Sequence, residues 1–285
     1  MSAPLFRTAP GTGTTDHRAA LRVARVVSAV AALAIAAAAA AGLFSGVYRD
    51  PDEIVAVFRA YDAVALAAAV LLLIAVLYAR SVHGVLLWAG VLAYAVYNYA
   101  YYLFGARLNV LFGLYAAVVA LSVAGLVSLL VATDERVIAA RYRHRAPVRV
   151  VAVVLAILAV SLGTMWLSRA AGALSGQSAL EEPSRLVVPA SFTQLGAALD
   201  LAVLVPAYGV VAVVLWRGVA WGYPAATMLL LAGVLHQVAY MAALVFQASM
   251  GISGAAGFDP VEPIIAAAFL GATTVMMWHR DERSG

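Results

Sequence analysis

The chain has 285 residues, 65% hydrophobic and only 11% charged, with a mean hydropathy of +0.96. Ordinary soluble domains carry about 25% charged residues, so this composition excludes a soluble globule and points to lipid. The absence of cysteine excludes disulfides, thiolate metal sites and cysteine nucleophiles.

The first twenty residues, "MSAPLFRTAPGTGTTDHRAA", lack periodicity and are rich in Gly, Pro and Thr. They are expected to form a disordered cytoplasmic tail. A membrane span needs about 20 mostly apolar residues. Eight such stretches follow, at 26 to 47, 62 to 79, 84 to 104, 110 to 132, 149 to 168, 197 to 216, 223 to 247 and 261 to 278. Their runs are long and continuous rather than alternating, and lipid offers nothing to satisfy open backbone groups, so they are helices and not barrel strands. The expected fold is an all-α polytopic membrane protein with eight transmembrane helices. The first stretch exceeds the 7 to 15 residues or so of a signal-peptide core, which predicts an uncleaved anchor.

Between the first two spans, "RDPDEIVAVFRAYD" carries Pro51 followed by Asp52 and Glu53, a helix-start signature. Ile54, Val55, Phe58 and Tyr61 share a face, which predicts a short interfacial helix leading into the second span. The connection from 169 to 196 contains Pro183 and Pro189 and is too long for a turn, so it is expected to cover part of the outer face. "ASMGISGAAGFDP", before the last span, is glycine-rich and is expected to be mobile.

Arginine placement sets the expected orientation. With the N-terminus inside, Arg7, Arg18, Arg22, Arg25, Arg80, Arg136, Arg141, Arg143, Arg145, Arg149, Arg217, Arg280 and Arg283 lie on the inner side. Arg49, Arg59, Arg107, Arg169 and Arg185 lie outside. Thirteen against five places both termini in the cytoplasm of a plasma-membrane protein. The densest cluster, "DERVIAARYRHRAPVR", reads as a topology anchor, and nothing in the sequence predicts a nucleic-acid partner. The lipid bilayer and an unidentified small molecule are the expected partners, and the oligomeric state is open.

The two halves of the chain resemble each other. Asp62 precedes Arg80 by 18 residues and Asp200 precedes Arg217 by 17. "AGVL" recurs at 89–92 and 232–235, each followed five residues later by a tyrosine, Tyr97 and Tyr240. The arginine-valine runs "RVARVV" and "VRVV" open the first and fifth spans. This order predicts a tandem of four-span units over 21–145 and 146–285, related by a pseudo-twofold axis along the membrane normal. The competing reading is that an alanine-rich eight-helix chain is self-similar by composition.

Polar groups inside the spans supply the candidate site. Tyr94, Tyr97, Asn98 and Tyr101 are spaced i, i+3, i+4 and i+7 and form one stripe on the third helix. That stripe either bonds neighbouring helices or lines a site. Tyr99 and Tyr102 fall on other faces, as aromatic-belt anchors would. The seventh span offers His236, Gln237 and Tyr240. His236 reads either as a packing residue or as a ligand-binding one. No metal-ligand spacing exists, the other four histidines lie in the tail, the inner loop or at inner helix ends, and neither a metal nor a cofactor is predicted. Asp62 and Glu262 read as helix-start acids, whereas Asp200, set inside its span, wants a partner or water. Arg107 and Asn109 stand at the level to pair with such acids. All these groups fall in the middle or outer half of the predicted spans, which makes them the wall of an outward-facing polar pocket. Pro206 adds a freed carbonyl, and Tyr208 a hydroxyl, in the sixth span.

Three functions are compatible with this pattern. One is a carrier or binding protein for a small molecule. Another is an intramembrane enzyme acting on a lipid or quinone, with His236 as acid or base. The last is a sensor or assembly factor whose stripe only joins helices. Walker, GxSxG, SxxK and dinucleotide motifs are absent from the sequence, which weighs against an enzyme of nucleotide or serine chemistry.

Overall fold

The computed structural model describes residue 6 and residues 14–142, 147–175 and 185–277. Most of the predicted tail, Arg143, Arg145, Pro183, Arg280 and Arg283 lie outside the described residues. Ten α-helices make up the described chain. They are α1 (Thr14–Phe44), α2 (Asp52–Tyr78), α3 (Val82–Gly105), α4 (Phe112–Ala132), α5 (Glu135–Tyr142), α6 (Val148–Leu174), α7 (Ala190–Leu199), α8 (Val205–Trp216), α9 (Gly222–Ser249) and α10 (Glu262–Met277). No strand forms among the described residues; Phe6 and Thr133 make an isolated antiparallel bridge.

Every expected span falls on a helix, but six rather than eight are both long and apolar enough to cross a membrane: α1, α2, α4, α6, α9 and the continuous α7–α8 rod from Ala190 to Trp216. The chain is a multi-pass membrane protein on that ground. The other two expected spans are α3 and α10. At 24 residues α3 has the length, but five tyrosines and Asn98 dilute its apolar character. The helix α10 has 16 residues.

Several boundaries differ from expectation. Residues 14 to 20 of the predicted tail already belong to α1. The separate interfacial helix does not exist: α2 runs unbroken from Asp52, with Pro51 as an extended cap at φ −57° and ψ 152°. Asp62 therefore stands in a helix interior and not at a helix start. Likewise α6 continues past 168 to Leu174, taking Arg169 into the helix. The short helix α5 forms within the arginine-rich connection and seats Ile138 and Ala139 in the core against the α9 region.

Small side chains let the helices approach. In α1 the buried positions Ala24, Ser28, Ala31, Ala32, Ile35, Ala38 and Ala39 recur every three or four residues, an apolar stripe. Val23, Val26, Val30 and Leu33 are exposed on the other side. This stripe packs α1 on both α2 and α4. The helix α3 packs on α4, α2 and α9, and α6 packs on α8 and, less extensively, on α10. Between the two groups stands α9, in contact with α2, α3, α8 and α10.

Polar bonds strap the connections together at one end of the bundle, called here the loop end. Gln247 is fully buried; its Nε2 donates to the carbonyls of Glu53 (2.9 Å) and Val187 (2.8 Å), and its Oε1 accepts from the Val187 amide (3.0 Å). One glutamine thus ties α2, α9 and the connection before α7. Leu186 and Val188 pack into the core beside it, as expected of a covering segment. The α9–α10 connection turns on Gly251, Gly254 and Gly257, all with positive φ near 70° to 83°, a region that glycine enters without steric cost. At the far end His83 Nε2 lies 2.7 Å from the Met277 carbonyl oxygen.

Candidate functional site

Two tyrosines of α3 reach two different buried carboxylates. Tyr102 points to one side and donates to Asp62 Oδ1 at 3.0 Å and to the Phe58 carbonyl at 3.1 Å. Tyr97, five residues earlier and so on a different face, donates to Asp200 Oδ1. Two of the five hydroxyls in this helix thus answer to acids on either side of it, and a third, Tyr99, donates to the Ile35 carbonyl of α1 (3.2 Å).

The Asp62 pocket is closed. Asp62 is 1% exposed, and its second oxygen accepts from Tyr48, in the α1–α2 connection. Burial, followed by the neighbouring Asp62 charge, pushes the Tyr48 hydroxyl well above the usual phenol range, so it stays protonated and remains a donor. Tyr48 stacks on Phe58 (5.2 Å), Phe58 on Tyr102 (4.8 Å) and Tyr102 on Tyr99 (5.1 Å). Gly42 of α1 closes the pocket: a β-carbon there would collide with the Asp62 carboxylate and the Tyr48 hydroxyl.

The Asp200 pocket opens on a hollow. Asp200 is 8% exposed and accepts from Tyr97 and, at 2.7 Å, from the Trp166 indole of α6. It begins a π-helical turn, Asp200–Leu204, in which the Val205 amide reaches back to the Asp200 carbonyl. Pro206 follows immediately and has no amide to donate, and such an interruption is commonly resolved by a wider turn. The cavity beside it measures about 740 Å³, within the range of about 300 to 1,000 Å³ typical of small-molecule sites. His236 lies in its wall, with its ring 5.1 Å from Tyr97, 6.2 Å from Tyr61 and 6.3 Å from Tyr101. The His236 Nδ1 and the Tyr94 hydroxyl are buried and find no hydrogen-bond partner among the described residues.

Eight of the predicted residues line this cavity: Tyr94, Tyr97, Tyr101, Asp200, His236, Gln237, Tyr240 and Glu262. Gln237 donates to Glu262, linking α9 to the first residue of α10. Four others stand apart from the lining. Asp62 occupies its own pocket. Asn98 is fully buried, and neither atom of its amide finds a partner among the described residues. Arg107 turns to the α1–α2 connection, where its guanidinium donates to the Arg49 carbonyl (3.2 Å) and its amide to Asp50 Oδ1 (3.0 Å). Asn109 folds onto its own turn, donating to the Arg107 carbonyl and accepting from the Leu111 amide.

Sequence reasoning missed Trp166, Tyr61 and Phe192. Trp166 carried one usable signal, because a buried indole N–H requires an acceptor. Tyr61 was read only as part of an interfacial face. The mouth also differs from expectation. Val123 and Val127 of α4 and Ser161 of α6 line the cavity and are themselves exposed. Since α4 and α6 make no substantial contact, the hollow reaches the surface sideways, through the apolar belt of the bundle.

No group of three or more His, Asp or Glu suited to holding a metal occurs among the described residues. Compared with known proteins, the chain matches no family model, no curated protein and no solved structure.

Proposed function

We propose that the chain is an eight-span protein of the plasma membrane, built from two four-helix repeats, that binds or carries a small molecule in the cavity beside Asp200. The observation that carries the reading is a buried carboxylate in a helix interior, facing a hollow large enough for a ligand. Ionisable groups inside membrane helices are costly and cluster on ligand and ion pathways.

The repeat draws support from a register the helices share. Asp62 lies eleven residues after Pro51, and Asp200 eleven after Pro189. Both prolines cap their helices in the same extended conformation, Pro189 at φ −66° and ψ 154°. Both rods are 27 residues long. Packing follows the same order: α1 on α2 and α4, with α3 on α4 and α2; then α6 on α8 and α10, with α9 on α10 and α8. A cavity between such halves is where repeat-built carriers hold substrate. In this arrangement the arginine-poor loop end is extracytoplasmic and both termini are cytoplasmic.

The test uses the full chain purified from its native membrane together with the variant Asp200→Asn/His236→Ala. Mass spectrometry of co-purified small molecules is expected to show a species about tenfold depleted in the variant, the result of losing about 1.4 kcal/mol of binding. Equal recovery from both proteins overturns the reading.

One observation favours a second reading, an intramembrane enzyme acting on a lipid or quinone headgroup: the His236 ring lies in the wall of the same cavity, beside Tyr97, and an imidazole there serves as a proton acceptor. A headgroup conversion in proteoliposomes that disappears in His236→Ala would decide for it.

A further inference from the structure

The lining of the cavity has a chemical bias. Asp200 receives hydrogen bonds from a phenol and an indole, both neutral, and no arginine forms an ion pair with it among the described residues. Of the other charged groups in the wall, Asp259 faces Arg185 at 3.9 Å, Glu262 accepts from the neutral Gln237, and the Arg169 guanidinium is stacked over Trp166 at 5.3 Å. Acids therefore outnumber bases in the lining, and the most enclosed acid makes no ion pair among the described residues.

Around Asp200 the surfaces are aromatic faces. Tyr97, Tyr101, Tyr61 and His236 form a cluster of rings with centroids 5.1 to 6.3 Å apart around the imidazole, and Trp166 and Phe192 continue the wall. Aromatic faces attract organic cations, more strongly where water is excluded. Away from this cluster the cavity is apolar, formed by Val123, Leu126 and Val127 of α4 with Leu158, Leu162 and Met165 of α6, and it reaches the surface between those helices.

We propose that the cavity takes an amphipathic alkylammonium ion, its protonated amine against Asp200, His236 and the tyrosine faces, and its hydrocarbon chain along the gap between α4 and α6. This rests on the binding reading above and adds the chemistry of the ligand. A charged N–H donor supplies the counter-charge that the Asp200 carboxylate lacks among the described residues. The chain matches the apolar arm, and an approach from the bilayer matches the sideways mouth.

The test is isothermal titration of the full chain in lipid nanodiscs with octylammonium, octanol and octanoate, with the Asp200→Asn protein in identical nanodiscs to remove partition into lipid. Octylammonium is expected to bind the unmodified chain at least about tenfold more tightly than octanol, with no saturable binding of octanoate, and Asp200→Asn is expected to erase that preference. Should Asp200→Asn fail to fold, Leu162→Trp, which fills the apolar arm, is expected to weaken octylammonium by about tenfold at unchanged helicity. Octanol binding as tightly as octylammonium, or octanoate binding best, overturns the ammonium assignment and leaves the cavity as a binding site. No saturable binding of any of the three overturns both.

Discussion

Asp62 and Asp200 stand at the same distance from a capping proline, each inside a 27-residue rod, and each receives two neutral hydrogen bonds, one of them from a tyrosine of α3. Their surroundings are opposite. Around Asp62, α1 comes close enough at Gly42 to seal the pocket under a stack of aromatic rings. Around Asp200, α4 and α6 stay apart, and the same kind of acid looks into a cavity of about 740 Å³. Local sequence places a carboxylate, and the neighbouring helices decide whether it becomes an internal brace or a wall of a hollow.

The comparison breaks most visibly on removal of each acid. Asp62→Ala strands the Tyr48 hydroxyl in a dry pocket and leaves Tyr102 with the Phe58 carbonyl alone; an unsatisfied buried group costs about 1 to 3 kcal/mol, and a lost bond about 0.5 to 1.5 kcal/mol. Together they predict a loss of about 1.5 to 4.5 kcal/mol, seen as a large fall in the unfolding midpoint of the detergent-solubilised protein. Asp200→Ala strands Tyr97 and Trp166 beside a cavity wide enough for water to replace the lost acceptor. A loss of about 1 kcal/mol is expected there, with any ligand binding abolished. Equal losses for the two variants would erase the distinction between brace and wall.

A smaller effect sharpens the contrast through glycine. Alanine in a helix interior gains about 0.5 to 1 kcal/mol over glycine. At Gly42 the added β-carbon strikes the Asp62 carboxylate and the Tyr48 hydroxyl, and overpacking of that kind costs about 1 to 3 kcal/mol. Gly42→Ala is therefore expected to destabilise. At Gly196, on the cavity side, the nearest atom is the Tyr101 hydroxyl at 3.2 Å, the outer end of a ring that can yield a few tenths of an ångström into open space. Gly196→Ala is expected to leave the unfolding midpoint level or slightly raised. A fall at Gly196 matching that at Gly42 would mean the Asp200 side is packed as tightly as the Asp62 side.

Much of the fold was legible because hydropathy reports helices directly; every predicted span falls on one. Depth along α3 was legible too, since i, i+3, i+4 and i+7 spacing placed Tyr94, Tyr97 and Tyr101 together, and all three line the cavity. The same spacing grouped Asn98 with them, because periodicity gives an angular sector about 100° wide and cannot tell which neighbour fills each part of it. Asp62 read as a helix start because its apolar run begins there, while the amphipathic turn from Asp52 to Tyr61, buried at Ile54, Val57 and Phe58, carries the helix further back. Trp166 was invisible for a third reason: its partner Asp200 is 34 residues away, and no local pattern encodes a tertiary hydrogen bond.

Arg107 carries the smallest expected effect and separates level from contact. From sequence it stood at the depth of the acids, which made it a natural counter-charge for Asp200. In the fold its guanidinium donates to the Arg49 carbonyl at an exposed site, while the bond that joins the α3–α4 turn to Asp50 comes from its backbone amide. Alanine keeps that amide, so only the exposed side-chain bond is lost. Arg107→Ala is expected to shift stability by no more than about 0.5 kcal/mol and to leave octylammonium titration unchanged. A tenfold change in that titration would place the guanidinium within reach of the cavity, give Asp200 its missing cation, and remove the reason for the ligand to be positively charged.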